Sequence, residues 1–479
     1  MNTGIVGYGV YIPKLRVKRE EFATLWKMGR QGENSVANTD EDIYTMAAEV
    51  ALNACKHSDI EDLSNIGLIY MGTAGSTSLE NSPLGVLVDI LDLPSRIDLS
   101  HFTSSTNSSL AALKSCFDAI ASNRKKYGLV IGSESREVYP GTAIELHAGA
   151  GAAGLMLGKE RVIAAIERIA TYGDLFYDRW STPGNPGLKE YEPRFTQKYG
   201  YHEHIVGAVQ SFFAESSDKM SDFNHVAMYQ FDERNMRQVA KALKIQEEQL
   251  KYSNIFNDVG DLGAASAFLK LCAILDEAKP GDRVLLVSYG SGMADVMSLK
   301  VTDEITRKKN TKSVKDYIGS KEYISYPEVL KRKKHIKKEE DPQKLGVPPT
   351  SPSIWRDGAV IRRLKGARCS SCGYVNFPPT LRRICIRCGN TTFEETTLTR
   401  KGKVHTYCFN IYLPEPMIGP QAVVVGDLDD GNRFRALGTE FELGKCKIDM
   451  NIELVLRNII SENGVGIYGY CFRPLRFGS

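Results

Sequence analysis

Residues 369–389 read CSSCGYVNFPPTLRRICIRCG, and no other stretch restricts the folding of this chain so tightly. Cys369 and Cys372 form one CxxC pair, Cys385 and Cys388 a second, and a glycine follows each pair. Four thiolates at this spacing close a tetrahedral site, and zinc, a borderline-soft ion, prefers such ligands. The glycines let the chain turn tightly enough for backbone N–H groups to face the sulfurs. A closed four-cysteine site leaves no coordination position for water or substrate, so the ion's role is structural. Incidental CxxC turns or a redox dithiol are the alternative readings of the same spacing. The remaining cysteines, Cys55, Cys116, Cys272, Cys408, Cys446 and Cys471, sit in apolar helix or strand contexts and read as packing residues.

A ribbon of this size organises only a small part of 479 residues, a length that implies two or three domains. A hydrophobic content of 42% and a charged content of 25% are those of a globular protein. The net charge of +3 provides no global field for nucleic acid. No apolar run is long enough to span a bilayer. The opening MNTGIVGYGVYIP lacks the charged-then-apolar pattern of a signal peptide. With the cysteines read as reduced thiols or metal ligands, a cytoplasmic location is expected.

Residues 1 to about 305 alternate strand-like and helical stretches, the α/β signature. Strands are predicted at Gly4–Ile12, Ile66–Gly72, Gly128–Gly132, Ala152–Gly158, Val226–Gln230 and Arg283–Tyr289. Helices are predicted at Asp42–Lys56, Leu110–Ser122, Met236–Leu243 and Ala264–Ala278. The pattern is doubled: each half has a strand, a long apolar helix and then a glycine-rich turn, GSES at 132–135 and YGSG at 289–292. From Thr306 to Glu340 the chain turns basic, which reads as a solvated peripheral helix and linker. GVPPTSPS, 346–353, has the composition of a hinge. A short helix leads from Ser351 to the cysteine cluster, and KVHTYCFNIYL, QAVVVGDLD, RFRALGTEF, IELVLRNII and GIYGYCF then predict a five-stranded barrel.

DLSHFTSSTNSSLAALKSC, 98–116, reads as a polar turn running into a helix that begins near Leu110. A helix N-terminus is where a nucleophile gains most from the dipole and from free N–H groups. The turn holds no cysteine, and Cys116 lies well inside the helix.

Several segments carry a resemblance. GIVGYGVYIPKLRVKREEFA, KYGLVIGSES, YEPRFTQKYGY, QVAKALKIQEEQ, AKPGDRVLLVSYGSG and SVKDYIGSKEYISYPEVLKRKK occur in the order found in 3-hydroxy-3-methylglutaryl-CoA synthases of the archaeal kind, within the thiolase superfamily. SIWRDGAVIRRLKGARCSSCG, with the ribbon and barrel around it, resembles the zinc-ribbon/OB-fold modules that accompany acyl-CoA thiolases. The resemblance implies an α/β, thiolase-like, duplicated five-layer domain over 1–335 and a linker over 336–350. A helix and zinc ribbon over 351–398 and an OB-fold barrel over 399–479 follow.

Synthases of this family use a cysteine nucleophile, a glutamate base and a histidine that polarises the second substrate. The resemblance places the glutamate at Ala74 and the cysteine at Thr106, or with a small shift at Ser104 or Ser105. It places the histidine at Tyr229, ahead of Gln230, and an active-site asparagine at Asp261. All the catalytic positions are therefore degenerate. His101, Glu80 and His225 are the nearby groups weighed as substitutes.

The reading that follows is an accessory, non-catalytic synthase-like subunit that binds CoA or acyl-CoA and scaffolds a partner thiolase. It implies a homodimer through the synthase-like domain within a hetero-oligomer, structural zinc, and no nucleic-acid or membrane partner. The alternative is an active acyl-CoA C-acyltransferase with a serine or threonine in place of the cysteine. Nucleic-acid binding through the barrel and the basic segment 328–338 ranks last, because no aromatic-rich basic strand stands out.

Overall fold

The computed structural model describes residues 3–75, 82–182, 185–307, 311–336, 351–379, 383–413, 419–462 and 465–477. The chain forms two compact units. The first comprises Met1–Asn38, Asp42–Leu84 and Leu93–His335; the second comprises Thr39–Glu41, Gly85–Asp92 and Ile336–Ser479.

The first unit is built on nine strands: β1 (Gly4–Tyr11), β2 (Ile66–Gly72), β3 (Asp98–Phe102), β4 (Tyr127–Ser135), β5 (Ala150–Gly158), β6 (Ala164–Gly173), β7 (His225–Met228), β8 (Arg283–Gly290) and β9 (Met293–Val301). Their order across the sheet is β7-β8-β9-β6-β1-β5-β4-β2-β3. The doubling seen in the sequence is present in this order, since β7-β8-β9-β6 repeats β2-β4-β5-β1. The directions repeat as well. The pairs β2/β4 and β7/β8 are parallel, and the next two pairs in each half are antiparallel. Among the described residues the halves pair at Gly4–Ala165 and Ile5–Ala164, a short join within one nine-stranded sheet.

Among the helices that cover the sheet are α1 (Ile43–Ser58), α2 (Ser108–Ala121) and α3 (Ser266–Leu275), with Glu203–Ala214 packed on the strands of the second half. Asp42 caps α1 through a capping box, accepting from Thr45 N at 2.9 Å while Thr45 Oγ1 accepts from Asp42 N at 2.8 Å. All ten residues of α3 are buried, and it packs against strands of both halves. A helix without a polar face belongs in a middle layer.

The structure corrects the reading of 98–116 in one respect. Asp98–Phe102 is a strand, so the turn is confined to 103–107 and α2 begins at Ser108. The polar look of DLSHF follows from its place at the sheet edge, paired on one side only with β2. The predicted strands also omit Ala164–Gly173 and Met293–Val301, whose apolar runs are broken by Glu167, Arg168 and Asp295. As far as His335 the basic segment belongs to the first unit, where helices Val314–Gly319 and Tyr326–Arg332 bury Val314, Tyr317 and Tyr326 while Lys331 and Arg332 pair with Glu328. The hinge-like run 346–353 lies mostly outside the described residues.

In the second unit α4 (Ser351–Arg362) precedes a three-stranded ribbon of β10 (Lys365–Cys369), β11 (Val375–Asn376) and β12 (Phe393–Thr397). The closed barrel follows, with β13 (Lys401–Asn410), β14 (Gln421–Leu428), β15 (Arg433–Gly438), β16 (Asn451–Glu462) and β17 (Val465–Pro474). Its order, β13-β14-β15-β17-β16, with β15 parallel to β17 and β16 closing on β13, is that of an OB-fold. In β14 burial alternates strictly, which puts Ala422, Val424 and Leu428 on one inner face. Cys408, read as a packing residue, is exposed on β13. No helix among the described residues is long and apolar enough to cross a membrane.

Candidate active-site cavity and zinc ribbon

Strands of both halves end at one place. The residues just past β2, the turn after β3, the end of β4, the residue after β7 and the end of β8 enclose a cavity of about 850 Å³. In open α/β sheets ligands bind at the carboxyl ends of strands, and here two such ends face each other. A hairpin of Arg179–Thr182 with Asn185–Glu190 forms a further wall.

Three of the four positions inferred from the sequence line this cavity: Ala74, Thr106 and Tyr229. Asp261 lies behind them, buried, and accepts a hydrogen bond from Tyr229 Oη at 3.3 Å. Its other oxygen accepts from Gly263 N at 2.9 Å. Ala74 contributes only a methyl group, and its backbone N–H donates to Glu134 Oε2 at 2.7 Å. The Thr106 hydroxyl is already engaged, donating to the Tyr289 carbonyl at 2.5 Å. Ser104 also faces the cavity and holds φ at +72°, the left-handed region that a serine adopts only under strain.

The substitutes weighed from the sequence do not gather here. His101 sits on the edge strand beside Tyr44, and burial lowers its pKa. His225 pairs with Asp282 at 3.1 Å. Neither histidine lines the cavity. Glu80 lies outside the described residues. Cys116 is buried in α2, where loss of hydration raises its thiol pKa well above the ordinary value.

Sequence reasoning missed the charged groups of the wall. Glu134 and Arg136 close β4, and the hairpin supplies Asp178, Arg179 and Glu190. The available signal was the run S-E-S-R after the apolar GLVIG, a charge pair where a buried strand ends. Arg179 holds Glu190 through Nε at 3.2 Å and Nη2 at 3.1 Å, and its Nη1 lies 3.7 Å from Asp261. Burial acts to lower the Arg179 pKa, but Glu190, Tyr229 and Asp261 outweigh it and hold the group above its ordinary value. Burial raises the Glu134 pKa, only partly offset by Arg136 and by the N–H groups of Ala74 and Ala264. Tyr229 is raised by burial and then by Asp261, so its hydroxyl stays protonated.

In the second unit the four ribbon sulfurs lie within 4.8 Å of one another, with Cys369–Cys388 at 3.5 Å and Cys372–Cys385 at 3.7 Å. A tetrahedron with Zn–S bonds of about 2.3 Å has edges of about 3.8 Å, so the four thiolates fit a zinc ion. Gly373 and Gly389 take φ of +71° and +76°, which turns the chain back so that their N–H groups donate to the Cys369 and Cys385 carbonyls. The donor set supports structural zinc held by these residues.

The repeated half-sheets, the buried middle helices and a cavity at opposed strand ends define a thiolase-like condensing-enzyme scaffold. Residues 213–298 match the 3-oxoacyl-[acyl-carrier-protein] synthase III C-terminal family, and residues 356–394 match the ChsH2 rubredoxin-like zinc ribbon domain. The hydroxymethylglutaryl-CoA synthase of Picrophilus torridus is 34% identical over 337 residues, 68% of this chain and 95% of that protein. That of Methanopyrus kandleri is 32% identical over 344 residues, 70% of this chain and 98% of that one. The chain belongs to the hydroxymethylglutaryl-CoA synthase family. Among solved structures, MvaS in complex with 3-hydroxy-3-methylglutaryl coenzyme A shares the fold with a TM-score of 0.64 at 19% identity, covering 73% of this chain and 95% of that one. The 3-oxoacyl-[acyl-carrier-protein] synthase III of Aquifex aeolicus does so with a TM-score of 0.56 at 20% identity, covering 62% and 99%.

Proposed function

We propose that this chain is an accessory subunit that binds an acyl-CoA in a synthase-like domain without performing acyl transfer, and that it scaffolds a partner thiolase through its ribbon and barrel. The observation that carries the reading is the lining of the cavity. Among the described residues it contains neither cysteine nor histidine, Ala74 offers a methyl group where the resemblance leads one to expect a carboxylate, and the Thr106 hydroxyl is tied to a carbonyl. A space of about 850 Å³ is ample for an acyl group. Relatives are named for hydroxymethylglutaryl-CoA, and one synthase of like fold is described as complexed with CoA. The assembly is a homodimer through the synthase-like domain within a cytoplasmic hetero-oligomer, with zinc holding the ribbon and no nucleic acid or membrane engaged.

Ser104 favours a second reading, acyl transfer through a hydroxyl. A serine held in strain on a strand-to-helix turn is how other acyl-transfer folds expose a nucleophile. In that case Ser104 Oγ would bond to the acyl carbonyl as the CoA thiol leaves, with a carboxylate of the cavity wall taking the hydroxyl proton. The two readings part in one experiment: incubation with acetyl-CoA and larger acyl-CoAs, followed by intact and peptide mass spectrometry. An unmodified chain that still binds the esters is expected. An acyl group on the 98–116 peptide, abolished by Ser104→Ala, would overturn the accessory reading and establish the second.

A further inference from the structure

Two kinds of wall meet in the cavity. The first half lines it with hydroxyls and charge, from the turn at 103–107 and the end of β4. The second half lines it with rings: Tyr229 and Phe231 just past β7, Tyr289 near the end of β8, and Tyr201 from the helical segment Thr196–His202. These four form one cluster, since Tyr201 meets Phe231, Tyr289 and Tyr229 edge-on with centroids 4.7, 5.8 and 6.3 Å away. Their three phenol hydroxyls are spent inside the protein. Tyr201 Oη donates to the Tyr229 carbonyl at 2.7 Å, Tyr289 Oη to Asp178 Oδ2 at 3.0 Å and Tyr229 Oη to Asp261 Oδ2 at 3.3 Å. What this wall offers a ligand is ring surface, not hydrogen-bond donors.

Trp180 adds a platform. It lines the cavity from the hairpin and is 39% exposed, against 8% or less for each ring of the cluster. The ring it meets, Tyr191 at 6.1 Å, is itself exposed. A large apolar side chain left half in water beside a cavity gains free energy when a ligand covers it. The charged groups next to it have partners, Arg179 in Glu190, and Asp178 in the Tyr289 hydroxyl and the Arg179 N–H. An apolar group laid against Trp180 therefore strands no bare charge.

We propose that the cavity receives an acyl-CoA whose acyl group carries an aromatic ring, with Trp180 as the surface the ring stacks on and the Tyr201 cluster as its apolar floor. Rings that stack or meet edge-on attract one another beyond what their buried area alone gives. A planar ring also loses less internal freedom on binding than a flexible chain of similar apolar area. An acetyl group is too small to cover the indole, and a space of about 850 Å³ leaves room for a ring. The choice of an acyl-CoA rests on the acyl-CoA reading of the cavity; the ring receptor itself does not.

Calorimetric titration of the full chain with phenylacetyl-CoA and with hexanoyl-CoA, whose acyl groups are similar in apolar area, tests the inference. The unaltered chain is expected to bind the phenylacetyl ester at least about threefold more tightly. In Trp180→Leu, which keeps apolar bulk and loses the ring, the two esters bind about equally; Trp180→Phe retains most of the preference. The comparison on the unaltered chain decides by itself where a variant fails to fold. Equal or weaker binding of the phenylacetyl ester by the unaltered chain overturns the proposal and leaves the acyl-CoA reading standing. A preference that survives Trp180→Leu in full overturns it as well. Phenylacetamide, a ring without the CoA, separates these failures from that of the acyl-CoA reading. If neither ester binds but phenylacetamide raises the melting temperature of the unaltered chain and not of Trp180→Leu, the ring receptor stands and the acyl-CoA reading falls. If phenylacetamide has no effect either, both fall.

Discussion

Lys270 shows how a single residue carries the mark of the layered fold. It sits on α3 among Phe268, Leu269 and Leu271, fully enclosed, and its ammonium donates to Gln230 Oε1 at 2.7 Å. Burial pushes its pKa down from 10.5 to about 7, with Asp261 opposing. Between these values the unfolded chain binds the proton and the folded chain does not, so this residue makes stability rise with pH from about 7 to 10.5. Below that window the cost of enclosing the charge is present in full. Lys270→Met is expected to remove this rise, so that in urea unfolding the stability difference between the variant and the unaltered chain shrinks as pH climbs through the window. A Lys270→Met curve that rises as steeply as the unaltered one would mean that the ammonium is hydrated. A lone lysine in SAFLKLCAIL was visible in the sequence. That the helix is enclosed on every side, so that this lysine has no route to water, was not.

At the scale of elements, the approach of β2 to α2 fixes one rim of the cavity. A Cβ on Gly72 would stand 2.4 Å from Ser109 Cα, backbone that has no freedom to yield. Gly72→Ala is therefore expected to cost about 1–3 kcal/mol and to lower the melting temperature measurably. The same displacement moves Thr73–Ala74 away from the turn at 103–107, so ligand affinity is expected to fall along with stability. A variant that melts normally would show that the helix start adjusts without strain. The glycine was legible as the end of a predicted strand. Its packing duty was not, because the residues it meets are 36 to 37 positions away and the separation is set by the layer spacing. The edge strand β3 was missed for a related reason: a strand paired on one side has half its residues in water, and its composition then reads as a turn.

Taken whole, the chain is two units with different means of support. The first rests on a large apolar core between layered helices and strands, the second on a small barrel and a metal ribbon. Unfolding is expected to depart from a single transition. Calorimetry with and without a strong zinc chelator is expected to move only one of the transitions, since thiolate–zinc bonds supply folding energy only to the ribbon. One transition unaffected by the chelator would argue that the four cysteines hold no ion. The sequence by itself determined what depends on local spacing. Two CxxCG pairs define a donor set, period-two alternation defines the barrel strands, and the doubled strand–helix pattern defines the two halves. Chemistry read by position was also within reach, so that Ala74, Thr106 and Tyr229 were named before their shared cavity was seen. Only the tertiary structure decided which charges meet there. Glu134 and Arg136 reach the cavity from one strand end, and Arg179 and Glu190 reach it from a hairpin more than forty residues away. Whether a buried arginine is paired depends on distances across layers of the fold, and those distances have no counterpart in the spacing of residues along the chain.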